Sequence, residues 1–364
     1  MNRTPLTGHH EALGARMAPF GGFTMPMVYQ GIVAEHTAVR TGVGIFDTGH
    51  MGVFHIGGGS AVADLENLLS CPVATLAVGQ CRYGFLCNPG GGVLDDTILY
   101  RMEPDAFMMV VNAGTRQDDA AWVRSHLHPG TSFEDVSQET GKIDVQGPRS
   151  PRLMHTLCDT PITHLGYFRC MRTSAGGIPL TVSRTGYTGE VGFEIYCPAS
   201  ATGDLWQRCL ELGATPAGLG ARDTLRLEMC LPLYGHELSA QRNAAESGLL
   251  WAIDPGKTFI GCDAVRDPLR VRQRLCALRL ADRRAARAGT VVELPNGASV
   301  GCVTSGSYAP SLGVAIALGY IDSPHAVTGN DVQLPTAKVA LRAQIIPMPL
   351  YRQATGRQKL DTFL

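Results

Sequence analysis

The pattern of apolar and polar positions predicts a mixture of helices and strands in the first part of the chain. Apolar residues recur at helical spacing in residues 60–69 and 115–127. Two strand-like runs, 93–102 and 107–112, lie between these segments. Because two strands framed by helices can bury a common apolar face, we expect a compact α+β unit over roughly residues 52–140.

The pattern changes in the rest of the chain. Helical spacing returns at 205–212 and 221–229, and Gly213 is placed to end the first of these helices. From Leu275 onward, short apolar runs alternate with Gly, Pro and Asn, which is typical of an all-β unit. We therefore expect the chain to end in a β-barrel or a β-sandwich.

The stretch 183–196, SRTGYTGEVGFEIY, has glycine at every third position before an alternating run. Glycine permits positive φ and a close approach of the backbone to another group. In the strand that follows, Phe193 and Ile195 share one face, so that Glu194 points to the other. Its carboxylate either meets solvent in an ordinary hairpin or is directed into a site, and the local pattern leaves both alternatives open.

A second tract, 88–100 (NPGGGVLDDTILY), leads from a glycine-rich turn into a strand. Asp95 and Asp96 lie near the start of that strand, and successive strand residues point to opposite faces. One of the two carboxylates must therefore face inward, which is costly unless the group has a role there. A place in a functional site is favoured over a capping or surface role.

Composition and charge narrow the class of protein. The chain has 364 residues, of which 45% are hydrophobic, and this is enough for two or three domains. A formal net charge of −1 gives no general attraction for nucleic acid. The 11 cysteines lack a CxxC pair and predict reduced thiols. With no leader-like or membrane-spanning run in the sequence, we expect a soluble, cytoplasmic protein with no nucleic-acid or membrane partner.

Several common catalytic motifs are missing from the sequence. It has no GxxxxGK[ST] phosphate loop, no GxSxG nucleophile elbow and no HExxH zinc helix. His126 and His128 lie close together but lack an evident third ligand, so we expect no metal site.

The chain carries further tracts, which stand in a fixed order: GARMAPFGGFTMP (14–26), EHTAVR (35–40), FDTGHMG (46–52), GGVLDD (91–96), SRTGYTGEVGFE (183–194), GLGARDTLRLE (218–228) and VTSGSYAPSLG (303–313). Together they resemble the aminomethyltransferases, which are the T-proteins of the glycine cleavage system. Each tract alone is a weak signal, whereas the ordered set extends over nearly the whole chain and is a strong one.

The resemblance implies an α+β fold of three domains around a central folate site. The first domain would be discontinuous, formed by residues 1–52 and 141–262. A ferredoxin-like α+β domain would be inserted at 53–140, and an antiparallel β-barrel would occupy 275–364. The residue pattern alone indicates the inserted unit and the terminal β region, but not the discontinuity of the first domain.

The resemblance also implies an enzyme and its reaction. A T-protein takes the aminomethyl group on the lipoyl arm of the glycine cleavage H-protein and transfers its one-carbon unit to tetrahydrofolate. The products are 5,10-methylenetetrahydrofolate, ammonia and dihydrolipoyl H-protein. Tetrahydrofolate is thus a co-substrate and the lipoylated H-protein is the partner. No metal is needed, because the protein contributes positioning and electrostatics.

Specific residues follow from the resemblance. Asp95 takes the position of the catalytic aspartate, which leaves Asp96 a structural role. Glu194 would accept hydrogen bonds from the amino group and ring NH of the pterin. The other residues expected around the folate are Arg222, Met51, Trp251, Asn112 and Arg287, with Arg352 for the tail carboxylates.

Three of these residues have ordinary alternatives. Arg222 could be a helix-surface residue that pairs with its neighbour Asp223. Met51 and Trp251 could belong to a hydrophobic core and have no part in binding.

Two departures from the family pattern leave the one-carbon donor open. Phe23 stands where the family usually has tryptophan, and Gly49 where it has serine. One alternative is therefore a folate-dependent demethylase of a small N-methyl or sulfonium donor. Another is a non-enzymatic folate-binding protein of iron–sulfur assembly. The latter has a KGCYxGQE tract, whereas Cys230 lies here in MCLPLYGHE.

Overall fold

The computed structural model describes residues 1–337 and 339–364. The α-helices are α1 (Thr7–Ala12), α2 (Ile32–Thr41), α3 (Ala61–Leu68), α4 (Arg116–Ser125), α5 (Ser150–Leu157), α6 (Thr202–Glu211), α7 (Leu219–Glu228) and α8 (Cys262–Arg266). The strands of the first part are β1 (Arg16–Phe20), β2 (Phe23–Val28), β3 (Gly44–Asp47), β4 (Gly52–Gly57), β5 (Cys81–Cys87), β6 (Val93–Glu103), β7 (Ala106–Val111), β8 (Ser132–Asp135) and β9 (Thr140–Gln146). Those of the second part are β10 (Cys170–Ala175), β11 (Ile178–Ser183), β12 (Gly192–Pro198), β13 (Thr215–Pro216), β14 (Gln273–Leu280), β15 (Val291–Glu293), β16 (Ser299–Ala309), β17 (Val314–Asp322), β18 (Asp331–Pro335) and β19 (Ala340–Ile346).

A six-stranded sheet is built from strands that lie far apart in the chain. Its order is β10-β11-β12-β9-β3-β13, and only the pairing of β13 with β3 is parallel. Ile143 of β9 and Phe193 of β12 point from one face into an apolar cluster with Leu153 of α5 and Trp206 of α6. The residues between them, including Glu194, therefore point from the opposite face.

A five-stranded antiparallel sheet, in the order β5-β6-β7-β4-β8, lies within residues 52–135. One face packs on α3 and α4 through side chains such as Leu99 and Met109. The other face carries Tyr100, which packs against Tyr196 of the six-stranded sheet. The polar face of the six-stranded sheet thus meets the face of the five-stranded sheet that is free of helices.

The last six strands close into a barrel, β14-β17-β16-β15-β18-β19. Leu278 and Ala317 fill its interior. Leu318, the next residue along β17, points outward and packs with Leu227 of α7. This contact fixes the barrel to the helix that carries Arg222, and the predicted C-terminal antiparallel barrel is confirmed.

The predicted elements agree with the structure to within a few residues. Helices form at 61–68, 116–125, 202–211 and 219–228. Strands form at 93–103 and 106–111, where the two strand-like runs were expected. The six-stranded sheet takes strands from both sides of residues 53–140. The domain boundaries themselves stay a prediction.

Candidate active site

Two groups of polar residues lie where the two sheets meet. The first group, which we call the carboxylate wall, comprises Tyr83 of β5, Asp95 and Asp96 of β6, and Asn112 after β7. The second group, the ion-pair wall, comprises Lys142 and Asp144 of β9, Glu194 of β12 and Arg222 of α7. Tyr100 of β6 connects the walls, because its hydroxyl donates to Glu194 Oε2 over 3.1 Å.

Glu194 is directed into the site and not toward solvent. Only 5% of the residue is exposed. Its Oε1 accepts a hydrogen bond from Lys142 Nζ at 2.7 Å, and its Oε2 accepts one from Thr185 Oγ1 at 2.5 Å. The hairpin with a solvent-facing glutamate, which the local pattern allowed, is therefore wrong.

The glycines before Glu194 serve a contact within the protein. Of the three, only Gly189 has positive φ, at 84°. A Cβ on Gly186 or Gly192 would lie 2.1 or 2.3 Å from Oε1 of Gln146. The group that these two glycines approach closely is thus the side-chain amide of Gln146, the residue of β9 that pairs with Gly192 of β12.

Asp144 joins the remaining members of the ion-pair wall. The residue is fully buried, and its Oδ2 accepts a hydrogen bond from Arg222 Nη1 over 2.7 Å. Burial alone raises the pKa of Asp144, but the Lys142 ammonium and the Arg222 guanidinium outweigh it and lower the pKa below its ordinary value. Arg222 is therefore part of a buried pair, and its expected surface partner Asp223 pairs with Arg226 at 2.8 Å.

Asp95 points away from the ion-pair wall, toward helix α4. It is fully buried, and both of its oxygens accept hydrogen bonds from Asn112, one from the backbone N and one from Nδ2, each over 2.8 Å. The carboxyl group of Asp119 on α4 lies close to that of Asp95. Burial, and then the charge of Asp119, raises the pKa of Asp95 well above its ordinary value.

Asp96 lies on the same strand face as Tyr100 and so points toward the site. It accepts hydrogen bonds from the Tyr83 hydroxyl at 3.0 Å and from Asn112 Nδ2 at 2.9 Å. Burial raises its pKa to about 7. Asp96 therefore faces the site and Asp95 faces α4, while the catalytic role that the resemblance implies for Asp95 stays a prediction.

Strand β6 is irregular just before the two aspartates, and from Asp95 to Tyr100 its pairing with β5 is regular. The register pairs Leu86 with Asp95 but Cys87 with Val93, so that Leu94 is an extra residue in β6. Such a bulge changes the direction of the side chains next to it.

Two of the expected apolar residues also lie at the site. Trp251 is 64% exposed, and its ring centroid is 5.4 Å from that of Tyr83, so it is not a core residue. Met51 is half-buried and packs with Tyr100 and Tyr196, next to Glu194. The ring of Tyr187 lies 5.0 Å from the guanidinium carbon of Arg222 and adds a further aromatic surface.

The two arginines assigned to the barrel and the chain end are not joined to either wall. Arg287 is exposed in the loop between β14 and β15, and no hydrogen bond or ion pair of its side chain occurs among residues 1–337 and 339–364. Arg352 is exposed and donates to the carbonyl oxygen of Pro347 over 3.3 Å. Their contact with folate stays a prediction.

The sequence reasoning missed Lys142 and Asp144. These residues alternate with the apolar Ile143 and Val145 along β9, which is the same signal that singled out Glu194 in β12. A search for polar residues that alternate with core residues along a central strand would have identified both Lys142 and Asp144.

Comparisons with known proteins agree with this architecture. Residues 6–257 match the family model of the GCVT N-terminal domain, and residues 273–352 match that of the glycine cleavage T-protein C-terminal barrel domain. The chain belongs to the glycine cleavage T-protein family. The family membership expected from the ordered tracts is thereby confirmed.

Full-length relatives extend the similarity over nearly the whole chain. An aminomethyltransferase from Desulforamulus reducens is 38% identical over 97% of this chain and 99% of its own. One from Symbiobacterium thermophilum is 40% identical over 98% of this chain and 99% of its own. The crystal structure of glycine cleavage system aminomethyltransferase T from Bartonella henselae has a TM-score of 0.92 at 30% identity and covers 97% of this chain and 99% of that one.

Two further features are absent from the part of the chain that the structure describes. No group of three or more His, Cys, Asp or Glu side chains is arranged to hold a metal ion there. Within the same residues, no helix combines the length and the apolar character needed to cross a bilayer.

Proposed function

We propose that this T-protein family member is an aminomethyltransferase that uses tetrahydrofolate. It moves the one-carbon unit from the aminomethyl-lipoyl arm of an H-protein to tetrahydrofolate, giving 5,10-methylenetetrahydrofolate, ammonia and dihydrolipoyl H-protein. The named relatives support this reaction over nearly the full length of the chain. No observation favours a small-molecule demethylase or an iron–sulfur assembly protein.

The observation that carries the proposal is that the ion-pair wall and the carboxylate wall, which differ in their charges, lie together where the two sheets meet. The ion-pair wall offers a carboxylate and a guanidinium in a buried setting, and Oε1 of Glu194 keeps an acceptor position after its bond to Lys142. These groups fit the donor edge and the carbonyl of a pterin. The rings of Tyr83, Trp251 and Tyr187 supply flat apolar surface for the same ligand.

We assign the catalytic contact to Asp96. Its pKa of about 7 allows the carboxylate to accept a proton from the reacting amine of the folate and to release it near neutral pH. Tyr83 and Asn112 hold its two oxygens in place. Asp95 acts through Asn112, which it binds with both oxygens, and is a positioning residue.

Met51 and Trp251 belong to the same proposal as apolar contacts for the folate. Arg287 remains a candidate for the folate tail on the strength of the family resemblance. A cytoplasmic location is also proposed, and the 11 free cysteines support it, because disulfides persist mainly in oxidising compartments.

The proposed reaction is tested by supplying the two substrates separately and together. Purified protein with tetrahydrofolate should release ammonia and form 5,10-methylenetetrahydrofolate only when aminomethylated H-protein is present. Turnover with a small N-methyl or sulfonium donor, without H-protein, would contradict the assignment of the donor.

Folate use is tested by a change at the pterin position. Glu194→Ala should weaken tetrahydrofolate binding about tenfold or more, because a charged acceptor of the pterin is lost. The matched ligand control is p-aminobenzoylglutamate, which has the tail but no pterin. An equal loss of affinity for this tail analogue would show that Glu194 does not bind the pterin.

A further inference from the structure

Strand β9 places two charged residues in the interior of the protein. Lys142 and Asp144 are 1% and 0% exposed. An ion is costly to bury unless it is paired and fully hydrogen-bonded. The proposed reaction requires neither residue, so their presence beside the site needs a separate explanation.

The two residues connect the groups that are proposed to contact the pterin. Lys142 Nζ donates to Glu194 Oε1 and to Asp144 Oδ1, each over 2.7 Å. Asp144 Oδ2 in turn accepts from Arg222 Nη1 over 2.7 Å. The third donor of the ammonium reaches the Thr48 hydroxyl at 3.0 Å, which leaves Lys142 no hydrogen for a ligand.

We propose that Lys142 and Asp144 are positioning residues that hold the Glu194 carboxylate and the Arg222 guanidinium at a fixed separation before folate binds. This inference rests on the proposed function, since that function assigns Glu194 and Arg222 to the pterin. The ion-pair wall contains two cations and two anions, so it is neutral as a whole. A site that is formed in advance loses less conformational entropy when the ligand binds.

The arrangement predicts that removal of one inner charge is worse than removal of both. Without the ammonium, Asp144 and Glu194 share one guanidinium, and the loss of the cation favours protonation of one of these buried carboxylates. When Asp144 is neutralised as well, Arg222 and Glu194 balance each other again.

Other titratable groups face this part of the wall. They are Tyr100 of β6, Tyr196 of β12, Cys81 of β5, Tyr187 and His50. Burial raises the pKa of the first four and lowers that of His50 to about 4, so all five are uncharged near neutral pH. A pH dependence that appears between neutral and alkaline pH is therefore expected to come from the carboxylates.

The test measures the affinity for tetrahydrofolate by equilibrium titration across a range of pH. Lys142→Met should weaken binding about tenfold near neutral pH, and the affinity should recover as the pH rises and the carboxylate ionises. Lys142→Arg keeps the charge and should bind within about threefold of the wild type. The double variant Lys142→Met/Asp144→Asn should regain most of the affinity that Lys142→Met loses.

Lys257→Met is a matched control outside the site. The ammonium of Lys257 is also largely buried, donates to the carbonyl oxygen of Cys71 at 2.8 Å and lies 3.5 Å from Glu66. This variant should lower the melting temperature and leave the affinity for tetrahydrofolate and its pH profile unchanged.

The outcomes separate this inference from the function on which it rests. If the wild type binds tetrahydrofolate while Lys142→Met and Asp144→Asn keep its affinity and pH profile, the positioning role is wrong and the proposed function stands. Additive losses in the double variant would also contradict it. A wild type that binds no tetrahydrofolate would overturn both. If Lys142→Met fails to fold, Asp144→Asn and the double variant make the same comparison.

Discussion

The two walls of the site contain two carboxyl groups each, but their surroundings shift the pKa values in opposite directions. In the ion-pair wall, Lys142 and Arg222 lie against Asp144 and lower its pKa despite burial. The carboxylate wall contains no cation, and burial raises the pKa of Asp96 to about 7. Asp144 therefore stays ionised at neutral pH, whereas Asp96 gains or loses a proton there.

This difference matches the division of work in the proposed reaction. Recognition of a pterin needs donors and acceptors that do not change with pH, and buried ion pairs supply them. Proton transfer needs a group whose pKa is close to the pH at which the enzyme works. A carboxyl group can serve either in recognition or in proton transfer, because the charges next to it differ between the two walls.

The largest expected effect comes from separating the two adjacent aspartates. Asp96→Asn should lower kcat about 100-fold or more while changing the affinity for tetrahydrofolate little, because it removes the group that exchanges a proton. Steady-state kinetics with aminomethylated H-protein, together with a binding titration, measure both quantities.

Asp95→Asn is the matched variant for this comparison. It alters the neighbouring carboxylate, which faces α4, and should lower kcat much less than Asp96→Asn. If Asp95→Asn instead shows the greater loss, the family-based assignment of catalysis to Asp95 is right and the one made from the side-chain directions is wrong.

A smaller effect is expected on stability, from the acid behind the carboxylate wall. Burial raises the pKa of Asp119 from 3.8 to about 7 in the folded protein. The folded state then holds a proton that the unfolded state has already lost, so this group lowers stability as the pH rises between these two values. Asp119→Asn should therefore raise the free energy of unfolding by roughly 1–3 kcal/mol above neutral pH, and by little near pH 4.

Denaturant unfolding at several pH values measures this difference. Asp118→Asn, at an exposed neighbouring position of α4, is the control and should change stability little at any pH. A gain in Asp119→Asn that is independent of pH would show that the cause is packing or helix propensity.

The smallest effect is expected outside both walls. Arg287 is exposed, and an exposed charge contributes at most about 1 kcal/mol, so Arg287→Ala should weaken tetrahydrofolate binding by about fivefold or less. Arg222→Ala removes a guanidinium that is bonded to buried Asp144 and should have a clearly larger effect. Equal losses in the two variants would place Arg287 in direct contact with the ligand.

Much of the fold could be predicted because it follows from local patterns. Helix α7, strand β6 and the barrel strands all show apolar spacing or punctuation that is visible in the sequence. Glu194 could be singled out for the same reason, since it alternates with Phe193 and Ile195 on a central strand.

The details of the site depend on contacts that no local pattern contains. The partner of Arg222 is Asp144, which lies on a strand that is distant in sequence, whereas the obvious candidate was its neighbour Asp223. Alternation alone shows that Asp95 and Asp96 point to opposite faces, but not which face belongs to the site. That choice depends on how β6 pairs with β5.

The extra residue Leu94 in β6 has a consequence for how this site could evolve. A one-residue slip of β6 against β5, taken up at this bulge, would exchange the directions of the two aspartates. The carboxylate presented to the ligand would then come from the other aspartate, with both residues unchanged. Strand pairing, and not residue identity, selects between two chemically equivalent neighbours, and an aligned pair of aspartates does not reveal which of them a given relative uses.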